Sequence, residues 1–242
     1  MIRVGTSGYS YPEWREAFYP ERFPTVRMLP YYAERFDTVE LNNTFYRMPT
    51  AKTIAGWEAE TPAGFVFALK ASRRVTHLAR LRDVAEPVGH LLETVRALGP
   101  KLGPLLFQLP PNLRKDTARL GACLALVPPP VCLAFEFRHE SWFDEEVYGL
   151  LRARNAALCV ADTETGTTPL VATADFGYLR LRDRAYTREE LLGWAATVRR
   201  PAWRDAFVYF KHEDSGTGPA LARELMTLLG AVPGRAHPPL DG

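Results

Sequence analysis

Apolar positions along this chain recur with two different periods. Short runs in which every second residue, or nearly every residue, is apolar alternate with longer stretches whose apolar residues stand three and four apart. The first kind reads as β-strand and the second as amphipathic helix. Strands are predicted at residues 3–7 (RVGTS), 38–42 (TVELN), 65–70 (FVFALK), 104–108 (PLLFQ), 132–138 (CLAFEFR), 157–162 (ALCVAD), 177–182 (GYLRLR) and 207–211 (FVYFK). Helices are predicted at residues 28–36, 51–60, 83–98, 115–126, 144–154, 187–199 and 219–229. Thr187 to Glu190 has the form of a capping box, and Asp144, Glu145 and Glu146 put acid into a first turn. The crossover at residues 163–176 carries no helical pattern.

Strand and helix alternate eight times without a Gly/Ser linker, which predicts an α/β fold: a single (β/α)8 TIM barrel with a short or irregular sixth crossover. The domain is expected to span residues 1–230, with a frayed tail at 231–242 that is rich in Pro and Gly. A doubly wound sheet is the alternative, but no GxGxxG follows a strand and there is no P-loop.

The strands share a second pattern. Polar residues gather at their carboxyl ends after apolar or small beginnings, as in VELNN, where Glu40 and Asn42 share one side of the strand. Ser7 ends the first strand, Lys70 the third, Gln108 the fourth, Glu136 and Arg138 the fifth, Asp162 the sixth, Arg180 the seventh and Lys211 the eighth. Upstream, Val66 and Ala68, Cys132 and Ala134, and Leu158 and Val160 are read as facing the barrel interior. Carboxyl ends of barrel strands are where such folds place chemistry, so these residues predict one functional mouth. Ion pairs that merely plug the barrel are the competing explanation.

The blocks GTSGYSYPEWREAFYP, VELNNTFYRMP, FALKASRRVTH, LLFQLPP, EFRHESW and FKHEDSGTGP also resemble successive signatures of the YecE-like family, domain of unknown function 72. The likeness runs from about Arg3 to about Leu229 and implies a TIM-barrel fold and a site, with no reaction attached. Two departures stand out. Tyr9 replaces the Trp often found after GTSG, and Phe210-Lys211-His212-Glu213 stands where many members carry Phe-Asn-Asn.

Charge refines the ligand. The formal net charge is only +2, so no global basic field announces a nucleic-acid binder. Locally, Glu40, Glu136 and Asp162 meet Lys70, Arg138, Arg180 and Lys211, with Arg182 read as lying beneath them. Cations equal or exceed carboxylates, which suits a phosphate or carboxylate ligand. Glu40, Glu136, Asp162 and Lys70 are the expected catalytic groups. Ser7, Asn42, Arg74, Gln108, Arg138, Arg180 and Lys211, with the rings of Trp14, Tyr46 and Trp142, are expected to bind substrate. A divalent metal is the less favoured alternative: His77, His139 and His212 follow three strands, but no HxH or HExxH occurs and nearby cations would repel a metal. No metal ligand is assigned and no organic cofactor is expected.

The leading expectation is an enzyme, a hydrolase or an isomerase/lyase, acting by acid/base chemistry on a phosphorylated or otherwise anionic small molecule or nucleotide. A nucleic-acid-binding or processing barrel and a non-catalytic anion sensor are the alternatives. Cys123, Cys132 and Cys159 lack CxxC spacing, and the first residues, MIRVGTSGYS, lack a leader pattern. A cytoplasmic protein without a membrane partner is therefore expected.

Overall fold

Both faces of most strands are apolar, so each strand must be covered on two sides, which a parallel barrel wrapped in helices provides. The computed structural model describes residues 1–183, 185–200 and 202–230; the tail expected to fray, 231–242, lies outside the described residues. Eight parallel strands form the barrel: β1 (Ile2–Thr6), β2 (Thr38–Leu41), β3 (Val66–Lys70), β4 (Leu102–Gln108), β5 (Leu133–Glu136), β6 (Ala156–Thr163), β8 (Phe176–Leu181) and β9 (Asp205–Phe210). Their order is β1-β9-β8-β6-β5-β4-β3-β2. The ring closes between β1 and β2 through a parallel bridge of Ser7 with Glu40, where the Gly8 N–H donates to the Glu40 carbonyl at 2.7 Å.

Seven α-helices among the described residues cover the outside: α1 (Met28–Ala33), α2 (Ala51–Ala59), α3 (Ala85–Val95), α4 (Thr117–Ala125), α5 (Glu145–Arg154), α6 (Arg188–Val198) and α7 (Thr217–Leu228). The Thr187 capping box forms, and the Asp144 side chain accepts from the Glu146 N–H at the start of α5. The sixth crossover has no helix. Instead β7 (Gly166–Thr167) folds back antiparallel on the end of β6, pairing Asp162 with Thr167. Among the described residues no helix is long and apolar enough to cross a membrane.

Inside the ring, small residues on one wall face large rings on the other. Ala68, Ala134, Ala157 and Cys159 lie opposite Phe176, Tyr178 and Tyr209, with Leu106 between, and the Tyr178 and Tyr209 rings stand 5.4 Å apart. This plug fills the lower barrel and leaves polar groups only the upper end. One reading of strand facing needs correction. On β6 the interior residues are Ala157 and Cys159, whereas Leu158 and Val160 belong to the outer core. β6 is apolar on both faces, so alternation carried no information about which side turns inward.

The first crossover is pinned by rings. Trp14, Phe18 and Tyr19 are buried and pack with Tyr31 and Tyr32. Trp142 is equally buried, stacked at 4.7 Å on Phe137, and its Nε1 donates to the Leu113 carbonyl at 2.7 Å. Neither Trp14 nor Trp142 offers a face to a ligand, contrary to the sequence expectation: large rings near a barrel end are bound by the core because so much area is gained by burying them.

Candidate functional site

At the carboxyl end of the barrel, one guanidinium holds two buried carboxylates. Arg180, from β8, donates from Nε and Nη2 to Glu40 Oε1 at 3.2 and 2.9 Å, and from Nη1 to Glu136 Oε2 at 2.5 Å. All three side chains are at most 1% exposed. Other donors complete the shell. Glu40 Oε1 also accepts from Ser7 Oγ at 2.5 Å and Asn42 Nδ2 at 3.3 Å, and Glu40 Oε2 accepts from the Tyr178 hydroxyl at 2.7 Å. Glu136 Oε1 accepts from Gln108 Nε2 at 2.9 Å and from Arg138 Nε at 2.8 Å.

Such a shell keeps both carboxylates ionised. Burial alone would raise the pKa of each, but the Arg180 charge and the converging donors outweigh it, with Arg138 adding its charge at Glu136. Glu40 is held below the usual carboxylate range, and Glu136 at about 2. Neither can gain a proton near neutrality, so the general-acid role expected of them does not fit this geometry. They position Arg180 and fix negative charge beneath the mouth.

Above this layer the charges are differently placed. Lys70 ends β3, with Nζ 4.1 Å from the centre of the Phe45 ring. Burial, then the cations Arg180 and Lys211, lower its pKa to about 8 against the pull of Glu40 and Glu136. Lys211, just past β9, is 3.5 Å from Glu213 and is likewise lowered by burial and by Arg182 and Arg180. Arg182 is not beneath the cluster but beyond Arg180 toward the mouth, since it follows the end of β8, and burial and neighbouring arginines lower it too. Arg182 and Arg138 line a cleft of about 610 Å³, together with Glu136, Phe143 and the β6–β7 turn from Thr163 to Pro169.

Two expected members lie elsewhere. Asp162 points away from the triad because β6 has the opposite facing to that assumed; its Oδ2 accepts from the Tyr186 hydroxyl at 2.7 Å and its Oδ1 from Thr167, tying two loops together. Arg74 is exposed on a π-helical turn, Arg74–Leu78, and among the described residues its side chain makes no hydrogen bond or ion pair with the cluster. Tyr46 is 71% exposed at the rim, its ring edge-on to Phe45. Among the histidines, His77 packs edge-on to Phe45 at 4.9 Å, His139 Nδ1 accepts from the Ser141 N–H, and His212 Nε2 bonds the Asp183 carbonyl. Among the described residues no three His, Cys, Asp or Glu side chains gather as a metal site.

Sequence reasoning missed Tyr178 and the threonine-rich turn. Tyr178 shares the parity of Arg180 on β8, and that was a usable signal. The turn sits where no periodicity exists, and only its composition, TETGTT, marks it.

Comparison with known proteins agrees with this architecture. A family model described as protein of unknown function DUF72 matches residues 3–241. YecE of Escherichia coli K12 is 28% identical over 144 residues, which cover 59% of this chain and 50% of YecE, so the chain matches half the length of that relative. YunF of Bacillus subtilis is 24% identical across 95% of both chains. Among solved structures, a DUF72 family protein from Thermotoga maritima superposes with a TM-score of 0.80 at 26% identity, covering 95% of this chain and 99% of that one. Another from Enterococcus faecalis gives 0.81 at 18% identity over the whole of both chains, a likeness of fold alone. With the family model spanning nearly every residue, and a barrel shared with solved members, the chain belongs to the DUF72 family.

Proposed function

We propose that this protein is an enzyme, a hydrolase or an isomerase/lyase, that binds a phosphorylated or otherwise anionic small molecule or nucleotide at the barrel mouth. Lys70 is the group that moves protons. One observation carries this reading: Arg180 and Arg138 balance Glu40 and Glu136, so among the described residues Lys70 and Arg182 have no ion pair and Lys211 only the exposed Glu213 at 3.5 Å, and all three are half-buried beside other cations. An anion between them would relieve that repulsion and gain charge-assisted hydrogen bonds. Lys70, lowered to about 8, is the member of the cluster closest to sharing its proton at neutral pH. A cytoplasmic location belongs to the same proposal, because all three thiols are free.

Calorimetric titration with inorganic phosphate tests the reading. Binding is expected at low and moderate salt, weakened about tenfold or more in the Arg182→Ala, Lys211→Ala double variant. Absence of binding at low ionic strength would overturn it. The exposed Arg73, Arg74, Arg80 and Arg82 of the third crossover and the exposed ring of Tyr46 favour a second reading, a nucleic-acid-processing barrel, marked by a steep loss of oligonucleotide affinity with salt.

A further inference from the structure

Lys70 differs from the other cations of the mouth in what holds it. Its backbone is fixed at both sides: the carbonyl accepts from Thr44 Oγ1 at 2.7 Å, and the strand pairs it with Leu106 of β4. That threonine bond sets the neighbouring Phe45, whose buried ring turns its face to Nζ at 4.1 Å and meets the His77 ring edge-on. Among the described residues no carboxylate forms an ion pair with the amine; the nearby acids Glu40 and Glu136 are saturated by other donors. The amine is therefore steered by an aromatic face and not spent on a salt bridge.

We infer that Lys70 is a covalent nucleophile, forming an imine with the carbonyl carbon of a small anionic aldehyde or ketone whose anionic group is held by Arg182 and Lys211. The inference rests on the anion-binding reading above and names its substrate class. The neutral amine attacks the carbonyl carbon, a C–N bond forms, and the carbonyl electron pair moves to oxygen, which takes a proton. Loss of the second N–H proton and departure of that oxygen as water give the C=N bond. One water is released and nothing is oxidised or reduced.

Three features of the mouth suit this chemistry. Burial and cationic neighbours leave Lys70 about a tenth neutral at pH 7, roughly 300-fold more than an unperturbed lysine. His77 is lowered by burial and by Lys70 and Arg138, so it is neutral near pH 7 and able to relay the protons of the carbinolamine. The cleft of about 610 Å³ beside Arg138 and Arg182, whose lining does not include Lys70, gives room for the substrate's anionic end.

Reductive trapping tests the inference on the intact protein. Cyanoborohydride delivers hydride to an imine and leaves a stable secondary amine, which peptide mass mapping can assign among the five lysines, Lys52, Lys70, Lys101, Lys115 and Lys211. The probes are glycolaldehyde and glycolaldehyde phosphate. Lys70 is expected to be labelled at least about tenfold faster than exposed Lys52, faster still by the phosphate ester, with inorganic phosphate protecting against the ester. Lys70→Arg should remove the fast adduct. Labelling of Lys70 no faster than Lys52, alongside measurable phosphate binding, would overturn the imine and leave the anion-binding reading standing. Fast labelling by both aldehydes alike without phosphate protection would overturn the anion-binding reading and, with it, the anionic substrate class, while the amine chemistry survives.

Discussion

Two layers of charge, separated by one inward step along the strands, behave in opposite ways. In the lower layer Glu40, Glu136 and Arg180 are sealed from water, and every carboxylate oxygen has a donor. In the upper layer Lys70, Arg182 and Lys211 are partly open, and burial and neighbouring cations, Arg180 among them in every case, depress them. The lower layer is a scaffold whose charges are already matched, so adding a ligand there would displace bonds of equal quality. The upper layer is only partly matched, by Glu213 at 3.5 Å from Lys211, and there a ligand can gain most. Charge by itself does not mark a binding group; uncompensated charge does.

Breaking the lower layer should have the largest effect. Arg180→Met leaves two buried carboxylates without their shared cation and is expected to destabilise the fold by about 3–5 kcal/mol, measured by denaturant unfolding. A loss under about 1 kcal/mol would mean the triad is not the scaffold described. Next comes acid sensitivity. Glu136 titrates at about 2 in the folded chain and near 4.5 when free, so its stabilisation is complete above that higher value and disappears as pH falls toward 2. About 3 kcal/mol should be lost over that window in the native protein, and the loss should flatten in Glu136→Gln.

The upper layer should respond in affinity and not in stability. Arg182→Ala is expected to shift unfolding by less than about 1 kcal/mol, in either direction, while weakening phosphate about tenfold. The sign for Lys70 is opposite to that for Glu136. Its folded pKa lies below the free value of 10.5, so the folded state binds the proton less readily and stability should rise as pH climbs from about 8 toward 10.5. Lys70→Met should abolish that rise, and saturating phosphate should shrink it by restoring the lysine toward its ordinary pKa. The smallest effect belongs to Arg74→Ala: exposed and unpaired with the cluster among the described residues, it should leave phosphate binding within the error of calorimetry.

The sequence by itself determined the barrel, since strands buried on both faces and separated by helical periods admit few other packings, and the helixless sixth crossover was legible as a gap in that pattern. It also determined which strand ends are polar, and on β2, β4, β5 and β8 alternation against small or apolar partners gave the inward direction correctly. On β6 the period was silent, because apolar residues on both faces look the same from either side, and only the packing of Ala157 and Cys159 against the central plug sent Asp162 outward. Tertiary structure alone decided the roles within the mouth. Whether a carboxylate is free to exchange a proton depends on how many donors reach it from other strands, and whether a lysine is paired depends on which ring or acid the neighbouring loop supplies. Glu136 and Lys70 both end their strands as charged residues. One meets three donor side chains and is locked, the other meets the face of Phe45 and stays available, and that difference is made by contacts between segments far apart in the chain.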